Sequence, residues 1–117
     1  MTQKRFLLRA DQIKPLAEGR GACFATDRIT VQGGKVGYMY REEPDNDIDS
    51  RWRFMEGSES QEYMDDPDNT SIYDVNTIVN YDRDIIPFLG APIGSEFRRD
   101  PDTGRFVELE PNGDADE

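Results

Sequence analysis

Residues Arg51-Trp52-Arg53-Phe54-Met55 alternate charged and aromatic side chains, and this short run constrains the fold more than any other part of the chain. Alternation at period two is the signature of a strand with one buried face. Trp52 and Phe54 are expected to point into a core, with Arg51 and Arg53 turned to solvent or to an acidic neighbour. A strand of this kind is stable only inside a sheet that something covers. Material for the cover is scarce: Leu, Ile, Val and Phe together number 24 of 117 residues, close to the composition at which chains stop folding. Twelve aromatics and ten glycines pull the other way, towards a small, turn-rich core containing β-structure.

Around that strand the chain divides at its glycines, prolines and acidic turns. Residues 10–18 predict a short first helix capped by Asp11 and ended by Gly19 and Gly21, with Pro15 limiting it to a turn or two. Ala22–Thr26, Ile29–Val31 and Lys35–Arg41 read as strands, the last two joined by a hairpin at Gln32-Gly33-Gly34. In Lys35–Arg41, Val36, Tyr38 and Tyr40 share one face, and Gly37 marks a bulge or a close backbone approach. Trp52 and Tyr38 are read as core. Glu42–Ser50 is an acidic loop. Ser58 and Glu59 begin a short helix carrying Tyr63 and Met64, and Asp65–Thr70 is a turn. Ser71 and Asp74 are spaced as a capping box before a helix with the stripe Ile72, Val75, Ile78 and Val79, running to about Asn80. A turn and a short helical piece follow, and then a hairpin across Asp100–Gly104. These elements predict an α+β domain over residues 1–110, a small antiparallel sheet of about five strands with two or three short helices. Residues 111–117 are expected to be a disordered acidic tail.

Several chemistries are excluded or poorly supported. The chain has no histidine, which removes Ser-His-Asp and Cys-His catalysis and any His-ligated zinc. Its one cysteine, Cys23, sits among small and apolar neighbours and reads as a buried thiol. Asp45, Asp47, Asp49 and Glu56 fall at positions 1, 3, 5 and 12 of a calcium-loop template. Ser50 stands where that loop needs glycine, however, and the flanking strands replace the expected helices. Acidic pairs are too many to single out a glycosidase-like couple, and no phosphate-binding glycine motif is present. No cofactor, metal or catalytic residue is expected.

Charge points to a partner instead. Residues 1–41 carry eight positive and three negative side chains, and residues 42–117 carry six positive and twenty-two negative, for a net charge of −11. Nucleic acid and anionic membranes are repelled by such a surface, whereas a basic protein is attracted and steered. No stretch has the apolar length of a secretory signal or a membrane span, so the cytoplasm is the expected location. The best-placed acids for a partner are Glu42, Glu43, Asp45, Asp47 and Asp49, followed by Asp65, Asp66 and Asp68. Tyr40 is the candidate aromatic anchor.

The segments Val36-Gly37-Tyr38-Met39-Tyr40-Arg41-Glu42-Glu43-Pro44, Asp49-Ser50-Arg51-Trp52-Arg53-Phe54 and Gly57-Ser58-Glu59 resemble a bacterial family. It was first catalogued as a domain of unknown function and later as a predicted immunity-protein domain of polymorphic toxin systems. The resemblance runs from about Gly21 to Phe97 and includes Tyr63, Asn69 and Tyr73–Ile78. In one departure, this chain has Arg51 where the family pattern has glycine. The resemblance implies an α+β domain that inhibits a nearby-encoded toxin domain by binding it. Joined to the charge pattern, it leads to a non-enzymatic immunity protein that occludes a basic toxin surface with an acidic face. The alternative is a structural or regulatory protein without catalytic activity, a homodimer joined through an exposed strand edge.

Overall fold

The structure, a computed structural model, describes residues 6–42 and 49–109. Six strands form one sheet: β1 (Ala22–Thr26), β2 (Tyr38–Arg41), β3 (Asp49–Met55), β4 (Thr70–Asp74), β5 (Glu96–Arg99) and β6 (Phe106–Glu108). Their order across the sheet is β4-β1-β3-β2-β5-β6. The fold is α+β and the sheet mostly antiparallel, with one more strand than expected and a single parallel pair, β1 with β3.

One face of the sheet is the core. Ala25, Phe54, Met39 and Phe97 are cross-strand partners in that order and are all buried. Trp52 stacks on Phe54 with ring centroids 5.9 Å apart, and Phe88 meets Phe97 at 4.9 Å. Helix α3 (Val75–Tyr81) covers this face with Val75, Ile78 and Val79. Asp74 caps α3, its carboxylate accepting from the Asn76 N–H at 2.9 Å. The helix therefore starts one residue after Asp74, and Ile72 belongs to β4, where it is 66% exposed rather than part of the stripe. A 3₁₀ segment, Arg83–Phe88, continues the cover with buried Ile85.

Beyond the sheet, Phe6 and Leu7 meet β4 and α1, and the chain from Lys14 to Ala17 lies against α3. Asn76 and Asn80, one helical turn apart, hold it by their side chains. Asn76 Oδ1 accepts from the N–H groups of Leu16 and Ala17 at 2.8 Å each. Asn80 Oδ1 accepts from the Lys14 N–H at 2.9 Å, and both carboxamides donate to the Lys14 carbonyl. The expected helix over 10–18 is reduced to a single 3₁₀ turn, Ala10–Gln12. The backbone groups that such a helix would have satisfied internally are taken by α3 instead.

Two further expectations are corrected. Ile29–Val31 is not a strand: Asp27–Thr30 forms the short helix α1. Gly33-Gly34 closes that helix and does not turn a hairpin. Gly33, at φ +80°, donates to the Ile29 carbonyl and Gly34 to the Arg28 carbonyl, at 3.0 and 2.8 Å, the paired closure of a left-handed helix end. Gly37 is a close approach, as expected: an added Cβ would lie 2.1 Å from the Glu56 carbonyl oxygen.

Asp82 and Arg99 form a second, polar core. The Asp82 carboxylate is 1% exposed and accepts from the Val36 N–H at 3.0 Å, the Asp84 N–H at 3.0 Å and Arg99 Nη2 at 2.6 Å. Arg99 lies over the Phe106 ring and also donates to the Val36 carbonyl, so one ion pair joins β5 and the hairpin strand β6 to the loop before β2.

Candidate functional site

Among the described residues, no helix like α3 crosses the centre of the other face of the sheet. In register across it run Ile72, Phe24, Arg53, Tyr40 and Glu96, one from each of β4, β1, β3, β2 and β5. Such cross-strand partners project from the same face. The alternation of β2 is thus as expected, Tyr38 with Tyr40, but this pair lies on the open face and is half-buried, while Met39 takes the core position. Tyr38 is therefore not core, whereas Trp52 is. The cause is Gly37, where the chain turns into the strand: Val36 is buried before the strand begins and does not report which face of β2 is covered.

A shallow groove of about 230 Å³ lies on this face, its walls including Phe24, Tyr40, Glu42, Arg53, Met64 and Thr70. Arg53 forms the floor. Its guanidinium sits 4.4 Å from the centre of the Phe24 ring and pairs with the Glu42 carboxylate, the acidic neighbour expected for it. Tyr38 and Tyr40 pack at 5.6 Å, and the Tyr38 hydroxyl donates to the Glu96 carboxylate. Burial raises the pKa of Tyr40, and the negative charges of Glu42 and Glu96 raise it further against the opposing Arg53. The Tyr38 hydroxyl is pushed up by burial and by Glu96. Both phenols remain neutral donors at physiological pH.

Met64 lies on the groove wall and belongs to helix α2 (Gln61–Asp65), which the Ser60 side chain caps. From Met64 the chain continues through Asp65, Asp66 and a 3₁₀ turn, Pro67–Asn69, to Thr70 on the same wall. Asp65, Asp66 and Asp68 are exposed along that connection. Of these, Asp66 caps the turn by accepting from the Asp68 N–H, and Asp65 accepts from the Gln61 amide. The structure thus brings Tyr40 and Glu42 to the groove, while the 65–68 acids lie outside its lining, on the exposed connection between two lining residues, Met64 and Thr70. Asp49 is the first residue of β3. Glu43, Asp45 and Asp47 lie outside the described residues, as do two ligands of the calcium template. Glu56, the template's last position, instead accepts from the Ser58 N–H at 3.1 Å.

Sequence reasoning passed over Phe24, Arg53, Met64 and Glu96 as site residues. The available signal was the period-two alternation of 51–55, which already placed Arg53 opposite the core. The expected helix starts not at Ser58 and Glu59 but at Gln61, and Glu59 instead organises the turn leading to α2. It accepts from the Thr26 hydroxyl and from the N–H groups of Glu56 and Gly57, at 2.6 to 2.8 Å. Burial works to raise its pKa, but these hydrogen bonds prevail and hold the carboxyl below its usual range. A second concavity, of about 370 Å³, is lined by Glu18, Arg20, Arg41, Ser50, Trp52 and Leu89 among others.

Among the described residues no helix is long and apolar enough to cross a membrane, and no group of three or more His, Cys, Asp or Glu could hold a metal ion. No curated protein and no solved structure matches the chain. A family model, the immunity protein Imm33 domain, matches residues 23–110, which include β2 to β6, all of β1 but its first residue, α1 to α3 and the groove. The chain belongs to the Imm33 immunity-protein domain family.

Proposed function

We propose that this protein neutralises a toxin domain by binding it through the open sheet face, with no chemistry of its own. One observation carries the reading. The face that α3 leaves open presents Tyr40, Phe24 and Glu42 in one groove, and the exposed acids Asp65, Asp66 and Asp68 lie on the connection between its lining residues Met64 and Thr70. An aromatic centre with a charged rim is the anatomy of a protein interface. The sign of the rim selects a basic partner, such as the substrate groove of a nuclease, and occlusion of that groove is the mechanism. Glu43, Asp45, Asp47 and Asp49 extend the acidic rim from Glu42 in sequence. The protein acts in the cytoplasm, where such a toxin would do its damage.

The test uses the purified chain with the toxin domain that co-purifies with it from its native cell. Reversing Asp65 and Asp66 to Lys slows association at least tenfold in low salt and flattens its salt dependence, because exposed charges act mainly on the encounter. Tyr40→Ala raises the dissociation rate instead. Unchanged kinetics in both variants would remove this face from the interface. A second reading, a homodimer, has one observation in its favour: the edge strands β4 and β6 expose Ile72 and Val107. Light scattering on the purified chain decides it.

A further inference from the structure

The cleft lined by Glu18, Arg20, Arg41, Ser50, Trp52 and Leu89 shares no lining residue with the docking groove. We propose that it is a binding site for a small oxyanion, a phosphate or carboxylate group held between the Arg20 and Arg41 guanidiniums. The chain carries a net charge of −11, yet here two arginines converge on one concavity. Among the described residues neither forms an ion pair.

Arg41 is already aimed. Its Nε donates to the Ser50 carbonyl at 3.0 Å, its Nη1 to the Ala91 carbonyl at 2.5 Å, and its guanidinium lies 5.7 Å from the Trp52 ring centre. Among the described residues the remaining amino group, Nη2, makes no hydrogen bond, and the ordering of a long side chain has been completed before binding. Burial lowers the Arg41 pKa, and the neighbouring charges of Arg51 and Arg20 lower it further. This is the mark of three cations close enough to repel one another.

Arg51 makes the crowding more telling. It keeps contacts of its own, but its backbone sits at φ +74°, a region that costs a side-chain-bearing residue roughly 1–2 kcal/mol. The chain therefore carries a strained arginine at a place where its charge opposes Arg41. An oxyanion in the cleft turns that repulsion into attraction, and the fork geometry of guanidinium suits the two oxygens of phosphate or carboxylate. The volume of about 370 Å³ admits a small ligand bearing such a group.

Trp52 is the chain's one tryptophan and lines the cleft, so its fluorescence, excited selectively over the five tyrosines, responds to a ligand bound there. The experiment titrates the full chain with inorganic phosphate and, separately, with malonate, against sodium chloride at matched ionic strength, with calorimetry alongside. Saturable binding of either probe is expected, and the tighter of the two identifies the preferred acid group. Arg20→Glu weakens it tenfold or more. Arg20 is exposed and makes no hydrogen bond among the described residues, so this variant retains the fold. Arg83→Glu, the same charge change at an exposed position outside the cleft, leaves the affinity unchanged. The proposal is overturned if neither fluorescence nor calorimetry saturates with either probe, or if both variants weaken binding equally.

Discussion

Arg51 provides a test of how this sheet is built. Two residues of β1 span four of β3 at this place: Ala22 pairs with Asp49 and Phe24 with Arg53. The extra length is absorbed by a bulge containing Arg51 at φ +74°, the position where the family resemblance expects glycine. Comparing Arg51→Gly with Arg51→Ala isolates the backbone contribution, because both variants lose the same guanidinium contacts. Alanine in this left-handed conformation costs roughly 1–2 kcal/mol. Glycine avoids that strain but loses roughly 0.5–1 kcal/mol more conformational freedom on folding. The glycine variant should therefore be the more stable by about 0.5–1 kcal/mol. For a chain of this size that difference is a gap of about 2–5 °C in melting temperature. Urea unfolding of the two variants, fitted with a shared slope, measures it directly. An alanine variant as stable as the glycine variant would refute the reasoning, and with it the claim that β3 bends at a strained residue.

Other perturbations follow from single contacts. Asp82→Ala removes the buried carboxylate partner of the largely buried Arg99, which keeps only the exposed Asp84, and orphans the Val36 N–H, so a loss of about 3–5 kcal/mol is expected in chemical denaturation; a loss below about 1 kcal/mol would contradict the network described. Gly37→Ala drives a Cβ against the Glu56 carbonyl and should destabilise by about 1–3 kcal/mol, with the β2–β3 amides showing the fastest gain in hydrogen exchange. Glu59 has a folded pKa below its unfolded value, so its contribution to stability is fully present above the unfolded pKa, about 4.5, and is lost as pH falls through the lower folded pKa. Glu59→Gln should accordingly flatten the stability profile on the acid side of pH 4.5, and an unchanged slope there would show that the carboxylate's hydrogen bonds contribute nothing.

How far the residues alone disclose this molecule depends on the length scale involved. Trp52 and Phe54 announce their strand because two-residue alternation is local. The Val75, Ile78, Val79 stripe announces α3 for the same reason. Asp27–Thr30 is too short to show a helical period, and its β-branched residues read as strand; what decides it is the double closure at Gly33 and Gly34, which is visible only once the helix exists. The parallel pairing of β1 with β3 joins segments separated by β2, and no local pattern encodes it. The docking face shows the same division. Tyr40 and Glu42 were legible as an aromatic beside acids, but Phe24, Met64 and the 65–68 connection become their neighbours only through the strand order. Arg20 and Arg41 are twenty-one residues apart and carry no motif, so their shared cleft could not be read from spacing.

The outline of a family and the outline of a folding unit do not coincide in this molecule. The matched span opens at Cys23, whereas Asn76 and Asn80 reach upstream of it to grip the backbone at Lys14, Leu16 and Ala17. Leu16 and Ala17 also pack against the hydrophobic cluster. A fragment trimmed to the span would strip that lining and bare greasy surface beside two idle carboxamides. Interaction screens run on such a fragment would report a stickiness belonging to the cut, and the leading strap should travel with the domain in any such trial.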